Sequence, residues 1–227
     1  MENNIFLFVP NIIGYIRILL IGLSCFYMSR DCVRAALYYL VSCLLDAVDG
    51  YAARFFNQNS RFGAMLDMLT DRCTTLCLLF VLCHFYPNLI LLFQMIGSID
   101  IASHWLHMHW FIEENYYNDI SGGKSHKTVT EDTHWLLKFY YTSRAFLFFM
   151  CLGNEAFFWL LYVGHFTNGP AIPLLNTNLI PMLAFIFCPV ATLKTAISLV
   201  HLASASRDIA RIDAAEIQLK VTNEKVE

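Results

Sequence analysis

Asp46-Ala47-Val48-Asp49-Gly50-Tyr51-Ala52-Ala53-Arg54, followed after eight residues by Gly63 and then by Asp67 and Asp71, places four carboxylates inside otherwise apolar sequence. At helical pitch Asp46, Asp49, Gly50 and Ala53 fall at i, i+3, i+4 and i+7, and Gly63, Asp67 and Asp71 at i, i+4 and i+8. Each set therefore makes one helix face, and the two acidic faces meet across a short turn. Ionisable groups at the centre of a membrane helix cost roughly 2.5 kcal/mol or more each, and clustered carboxylates repel one another. A cation is needed between them.

An all-oxygen carboxylate set suits a hard divalent ion such as Mg²⁺ or Mn²⁺, and neither face carries the cysteine or histidine that zinc would favour. Gly50 and Ala53 pare the first acidic face down to the backbone, leaving a shelf for a flat ligand. Arg54 follows with a fixed positive fork suited to phosphate. Metal, phosphate and shelf together point to a nucleotide diphosphate. The competing structural reading pairs the acids with Arg54, Arg61 and Arg72 to tie two helices together; it explains the charge but not the shelf.

The surrounding composition is that of a membrane protein. Of 227 residues 57% are hydrophobic and 15% charged, too apolar for a soluble domain of this size. Apolar runs of spanning length occupy about 11–28, 35–55, 63–84, 89–112, 140–165 and 179–205. They predict an all-α integral membrane fold, a six-helix transmembrane bundle preceded by a short interfacial segment around Phe6, Phe8 and Pro10. One domain is expected over 1–213, with a polar tail over 214–227. The N-terminal residues lack the basic and small-residue pattern of a cleaved signal peptide.

With six spans, Arg54, Arg61, Lys124, Lys127, Lys138, Arg207, Arg211, Lys220 and Lys225 share one side and only Arg30 and Arg34 the other. The positive-inside rule then puts both termini and the acidic cluster at the cytosolic face. The stretch Glu113 to Thr133, with Ser121-Gly122-Gly123, reads as a polar loop able to border the site. The eight scattered cysteines read as small core residues. No basic stripe with interleaved aromatics indicates nucleic acid.

The spacing Asp-x2-Asp-Gly-x2-Ala-Arg-x8-Gly-x3-Asp-x3-Asp resembles the signature of the CDP-alcohol phosphatidyltransferases at every fixed position. Wider stretches, from Asn3 to Asn11, Arg61 to Cys73, Ser103-His104-Trp105-Leu106-His107 and Tyr140-Tyr141-Thr142-Ser143-Arg144, resemble the eukaryotic branch of that family whose acceptor is myo-inositol. The resemblance runs from about Ile5 to Asp213.

It implies a reaction in which the acceptor hydroxyl attacks the diacylglycerol-bearing phosphorus of CDP-diacylglycerol and CMP leaves. Carried over by position, Asp46, Asp49, Asp67 and Asp71 hold two Mg²⁺ or Mn²⁺ ions, and Asp71 also takes the acceptor's proton. Gly50, Arg54 and Ser60 contact the nucleotide and its phosphates. The resemblance further implies a homodimer in the endoplasmic reticulum membrane.

Outside the signature the candidates are weaker. Ala53, Gly63, His104 and Arg144 are candidate substrate-pocket residues, against bland readings as packing, network or snorkelling positions. Asn11 can cap the first helix, with Arg17 two turns on positioned to touch a phosphate. Lys194 and Glu155 are polar residues whose partners the sequence does not name. A different acceptor alcohol, or an intramembrane cation carrier, are the rival functions.

Overall fold

The computed structural model describes residues 4–120, 143–173 and 176–224. Among these the fold is helical. A 3₁₀ turn, Ile5–Leu7, leads into α1 (Val9–Tyr27), α2 (Cys32–Phe55) and α3 (Arg61–Phe85), and a second, Pro87–Leu89, into α4 (Ile90–Ile120), followed by α5 (Arg144–Phe166) and α6 (Leu179–Glu224). Among the described residues the one departure from the all-α expectation is a two-residue ladder between α5 and α6, β1 (Ala171–Ile172) pairing antiparallel with β2 (Thr177–Asn178).

Local chemistry sets the helix starts. Pro10 stands in the first turn of α1, where its missing N–H costs nothing. Asp31 caps α2 by accepting from the Arg34 N–H, and Ser60 caps α3 by accepting from the Gly63 N–H. The α2–α3 turn contains Asn57 in the left-handed region at φ 53°, which asparagine tolerates better than most residues.

Among the described residues four stretches are long and apolar enough to cross a membrane: Val9–Tyr27, Pro87–His109, Ala145–Phe166 and Leu179–Ala214. Helices α2 and α3, interrupted by Asp46, Asp49, Asp67, Asp71 and Arg72, are not among them. Large apolar side chains such as Leu19, Val33, Leu44, Phe80, Leu91 and Phe185 point outward, as expected where lipid rather than water surrounds a helix.

Two boundaries differ from expectation. Helix α4 continues through Ile120, so the polar stretch beginning at Glu113 starts as helix; its remainder, 121–133, lies outside the described residues, as do Lys124, Lys127 and Lys138. Helix α6 does not stop near residue 205 but runs to Glu224, so the backbone of most of the polar tail is helical.

The chain divides into two compact units, residues 1–97 with 155–187 and residues 98–154 with 188–227. In the first, a core of Ile21, Met28, Ala35, Tyr39, Leu78, Leu79, Leu82, Phe93, Phe158 and Tyr162 forms beneath the acidic faces. Helices α1 and α2 meet through small residues, with the Ser24 hydroxyl donating to the Ala35 carbonyl at 2.9 Å, the close approach that membrane helices favour. Tyr162 donates across the core to the Met28 carbonyl at 3.0 Å. In the second unit Met150 and Ile197 pack with Phe146, Leu147, Val190 and Val200.

Candidate active site

The four aspartates do converge, and the side chain of Arg17 enters between them from α1. Its Nη1 lies 2.8 Å from Asp49 Oδ2 and 2.7 Å from Asp67 Oδ1. Its Nη2 lies 2.6 Å from Asp46 Oδ1 and 2.5 Å from Asp71 Oδ1. Of the arginines that the competing structural reading would pair with the acids, Arg54, Arg61 and Arg72, only Arg72 comes near, its Nη2 3.8 Å from Asp71 Oδ2. Arg54 and Arg61 are exposed. Arg17 thus reaches all four carboxylates of the cluster.

One guanidinium among four carboxylates leaves a surplus of negative charge that Arg72 offsets only in part. One oxygen each from Asp46, Asp49 and Asp67 lies within 4.8 Å of the others, and Asp71 joins this trio through Arg17. The Arg17 Nε is buried with no acceptor among the described residues. A cation bridging all four acids, the surplus charge and the all-oxygen donor set fit a hard divalent ion. Access is open, since the side chains of Asp46 and Asp67 are 42% and 49% exposed.

Beside the carboxylates lies a cavity of about 200 Å³, lined in part by Asn11, Asp49, Gly50, Ala53, Ser60, Gly63 and Asp67. The shelf read from the sequence is therefore a wall of a real cavity. Its two glycines serve different ends. A Cβ on Gly63 would stand 2.8 Å from Asn11 Oδ1 and 3.1 Å from Ser60 Oγ, so the protein's own packing demands glycine there. A Cβ on Gly50 would meet nothing closer than the Arg54 guanidinium at 3.8 Å. Internal packing gives no reason for glycine at 50.

Ser60 has two roles available, since its Oγ caps α3 at 3.0 Å from the Gly63 nitrogen and also lines the cavity. Arg54 does not line the cavity; it stands in the last turn of α2 with its guanidinium over Gly50. Asn11 is not a helix cap. It is buried, and its Nδ2 donates to the Ile5 carbonyl at 2.6 Å, folding the N-terminal turn onto α1. Gln58 Oε1 accepts from the Val9 N–H at 2.8 Å, satisfying one of the orphan donors at the start of α1.

In the second unit, buried Asp100 pairs with Lys194 at 3.2 Å, giving Lys194 a partner. His104 Nδ1 lies 2.7 Å from the Asp100 carbonyl. A carbonyl only accepts, so in that hydrogen bond Nδ1 is the donor. The rings of His107 and His201 sit 4.3 Å apart. Arg144 opens α5; its side chain lies outside the described residues.

The family model for CDP-alcohol phosphatidyltransferases matches residues 7–167, a stretch that holds the whole acidic motif. The chain belongs to the CDP-alcohol phosphatidyltransferase family. As a phosphatidyltransferase it is similar to proteins named CDP-diacylglycerol–inositol 3-phosphatidyltransferase. The one from Homo sapiens is 47% identical over 215 residues, 95% of this chain and 97% of its own. That from Drosophila melanogaster is 44% identical, covering 96% and 91%; that from Schizosaccharomyces pombe is 38% identical, covering 93% and 92%. No solved structure matches this phosphatidyltransferase at a significant level.

Sequence reasoning missed the central place of Arg17 and the double duty of Asn11. The available signal was a lone arginine in an apolar helix, which in a membrane must face a partner; which partner depends on how α1 lies against α2 and α3.

Proposed function

We propose that this phosphatidyltransferase moves the phosphatidyl group of CDP-diacylglycerol to myo-inositol, giving phosphatidylinositol and CMP in a reaction that requires Mg²⁺ or Mn²⁺. The observation that carries the reading is the convergence of four carboxylates from two helices beside a cavity walled by Gly50, Ala53 and Gly63. The names of the relatives supply the acceptor.

In this reading Asp46, Asp49, Asp67 and Asp71 hold two divalent ions, whose bound charge would offset the pyrophosphate and the leaving oxygen of CMP. The nucleotide lies along Gly50 and Ala53, where only backbone and a methyl group intervene. Arg54 and the Ser60 hydroxyl hold the phosphates. A carboxylate oxygen of Asp71 accepts the proton of the attacking inositol hydroxyl as the new O–P bond forms at the diacylglycerol-bearing phosphorus. The P–O bond to CMP breaks and its electron pair leaves with CMP. His104 and Arg144 are the acceptor candidates.

All six long helices are taken as spans, α2 and α3 included, because an acidic face turned to a partner helix need not meet lipid. The excess of basic residues on one side then places the site and both termini in the cytosol. Endoplasmic reticulum residence and a homodimer complete the reading.

The test uses purified protein in mixed micelles with Mn²⁺ or Mg²⁺, CDP-diacylglycerol and a panel of labelled alcohols. Phosphatidylinositol formed only with inositol and metal is the expected result. Release of CMP with a different alcohol would move the acceptor and keep the mechanism; no metal-dependent release with any acceptor would overturn it.

A further inference from the structure

Glu155 stands near the middle of α5, in a stretch apolar enough to cross a membrane, where an ionisable side chain is expensive. Both of its carboxylate oxygens are engaged. Oε2 accepts from the Tyr39 hydroxyl at 2.6 Å, and Oε1 from the Thr75 hydroxyl at 2.5 Å. Tyr39 and Thr75 are buried, 3% and 4% exposed, so these bonds form away from water and are strengthened by their surroundings.

The positions of the two donors matter more than the bonds themselves. Tyr39 lies two helical turns before Asp46 on α2, and Thr75 one turn after Asp71 on α3. Glu155 therefore bridges the same two helix faces that carry the acids, one layer deeper. Thr75 Oγ1 also stands 3.1 Å from the backbone carbonyl of Asp71, which links the bridge to the residue assigned as proton acceptor.

We propose that Glu155 is a positioning residue: by accepting from Tyr39 and Thr75 it fixes the separation of α2 and α3, and with it the placement of Asp46 relative to Asp71. The proposal rests on the transferase reading above for its effect on turnover. Its effect on the geometry of the carboxylates can be read without turnover.

The test compares Glu155→Leu, Glu155→Gln and the double variant Tyr39→Phe/Thr75→Val with the unaltered protein in detergent. Mn²⁺ affinity is measured from the electron paramagnetic resonance signal of free Mn²⁺, together with kcat and KM for CDP-diacylglycerol and the thermal midpoint. A misplacement of about 1 Å at a reacting group costs on the order of a hundredfold in rate, so a partial loosening should lower kcat about tenfold. Glu155→Leu and the double variant are expected to show that fall and a severalfold weaker Mn²⁺ affinity, with KM for the lipid nearly unchanged. Glu155→Gln, which keeps an oxygen for one hydroxyl and an amide beside the other, should recover most of both.

Unchanged Mn²⁺ affinity and kcat in the double variant, which removes two hydroxyls and leaves the carbon framework intact, would overturn the proposal even if Glu155→Leu fails to fold. So would a loss of activity that only follows loss of folded protein. Absence of turnover in the unaltered protein would sink the transferase reading instead, and the Mn²⁺ affinities would still decide the role of Glu155.

Discussion

The guanidinium of Arg17 stands 2.8 Å from Oδ2 of Asp49, the most buried of the four clustered carboxylates. Removing one partner of a buried charge pair leaves the other uncompensated, at a cost on the order of 3–5 kcal/mol. Arg17→Met should therefore lower the thermal midpoint in detergent by on the order of 10 °C. Added Mn²⁺ should restore part of that loss, and by more than it stabilises the unaltered protein, because a divalent ion supplies the missing positive charge. Thermal unfolding with and without Mn²⁺ checks both statements; an unchanged midpoint would mean the acids do not depend on Arg17.

Asp71 and Asp46 should fail in different ways. Loss of a general base costs about 10²- to 10⁴-fold, so Asp71→Asn is expected to abolish turnover while largely sparing CDP-diacylglycerol binding. Asp46→Asn should raise the Mn²⁺ concentration needed for half-maximal rate about tenfold. Metal titrations of initial rate, with binding of the lipid nucleotide measured alongside, separate the two; equal residual activity with equal metal dependence would contradict this division.

The two cavity glycines give opposite signatures. Gly63→Ala drives a methyl group to 2.8 Å from Asn11 Oδ1, and overpacking of this kind costs about 1–3 kcal/mol. Gly50→Ala has room and should leave the thermal midpoint alone while raising KM for CDP-diacylglycerol. Melting curves and lipid titrations on the same two variants test the contrast, which would collapse if Gly50→Ala were the less stable protein.

The Asp100–Lys194 pair in the second unit should show coupling. Lys194→Met alone leaves a buried carboxylate short of a cation, an effect of about 3 kcal/mol. Asp100→Asn/Lys194→Met should regain much of that stability, and a double-mutant cycle on unfolding measures the difference. Strictly additive losses would show that the 3.2 Å contact carries no energy.

Periodicity alone revealed much of this architecture, because apolar runs and the two acidic spacings are local properties of a helix. The faces carrying Asp46 with Asp49 and Asp67 with Asp71 meet as their spacing required. Partner choice was not legible. Arg17 lies 29 residues before Asp46 in sequence order and has no spacing relation to it, so only the docking of α1 on α2 and α3 joins them. Glu155 meets Tyr39 across 116 residues for the same reason. Asn11 was misread as a cap because asparagine is common there, whereas its amide instead reaches back to Ile5. The extension of α6 to Glu224 was missed because a polar helix end carries no apolar stripe to mark it.

The N-terminal turn and the start of α1 are tied down at three points: Asn11 holds the Ile5 carbonyl, Gln58 holds the Val9 amide, and the Phe6 ring meets Phe62 edge-on at 4.9 Å. Asn11 and Gln58 also wall the cavity. An affinity tag or fluorescent reporter fused directly ahead of this turn would pull on the same two side chains, and its drag would register as altered affinity for the lipid nucleotide with every carboxylate intact.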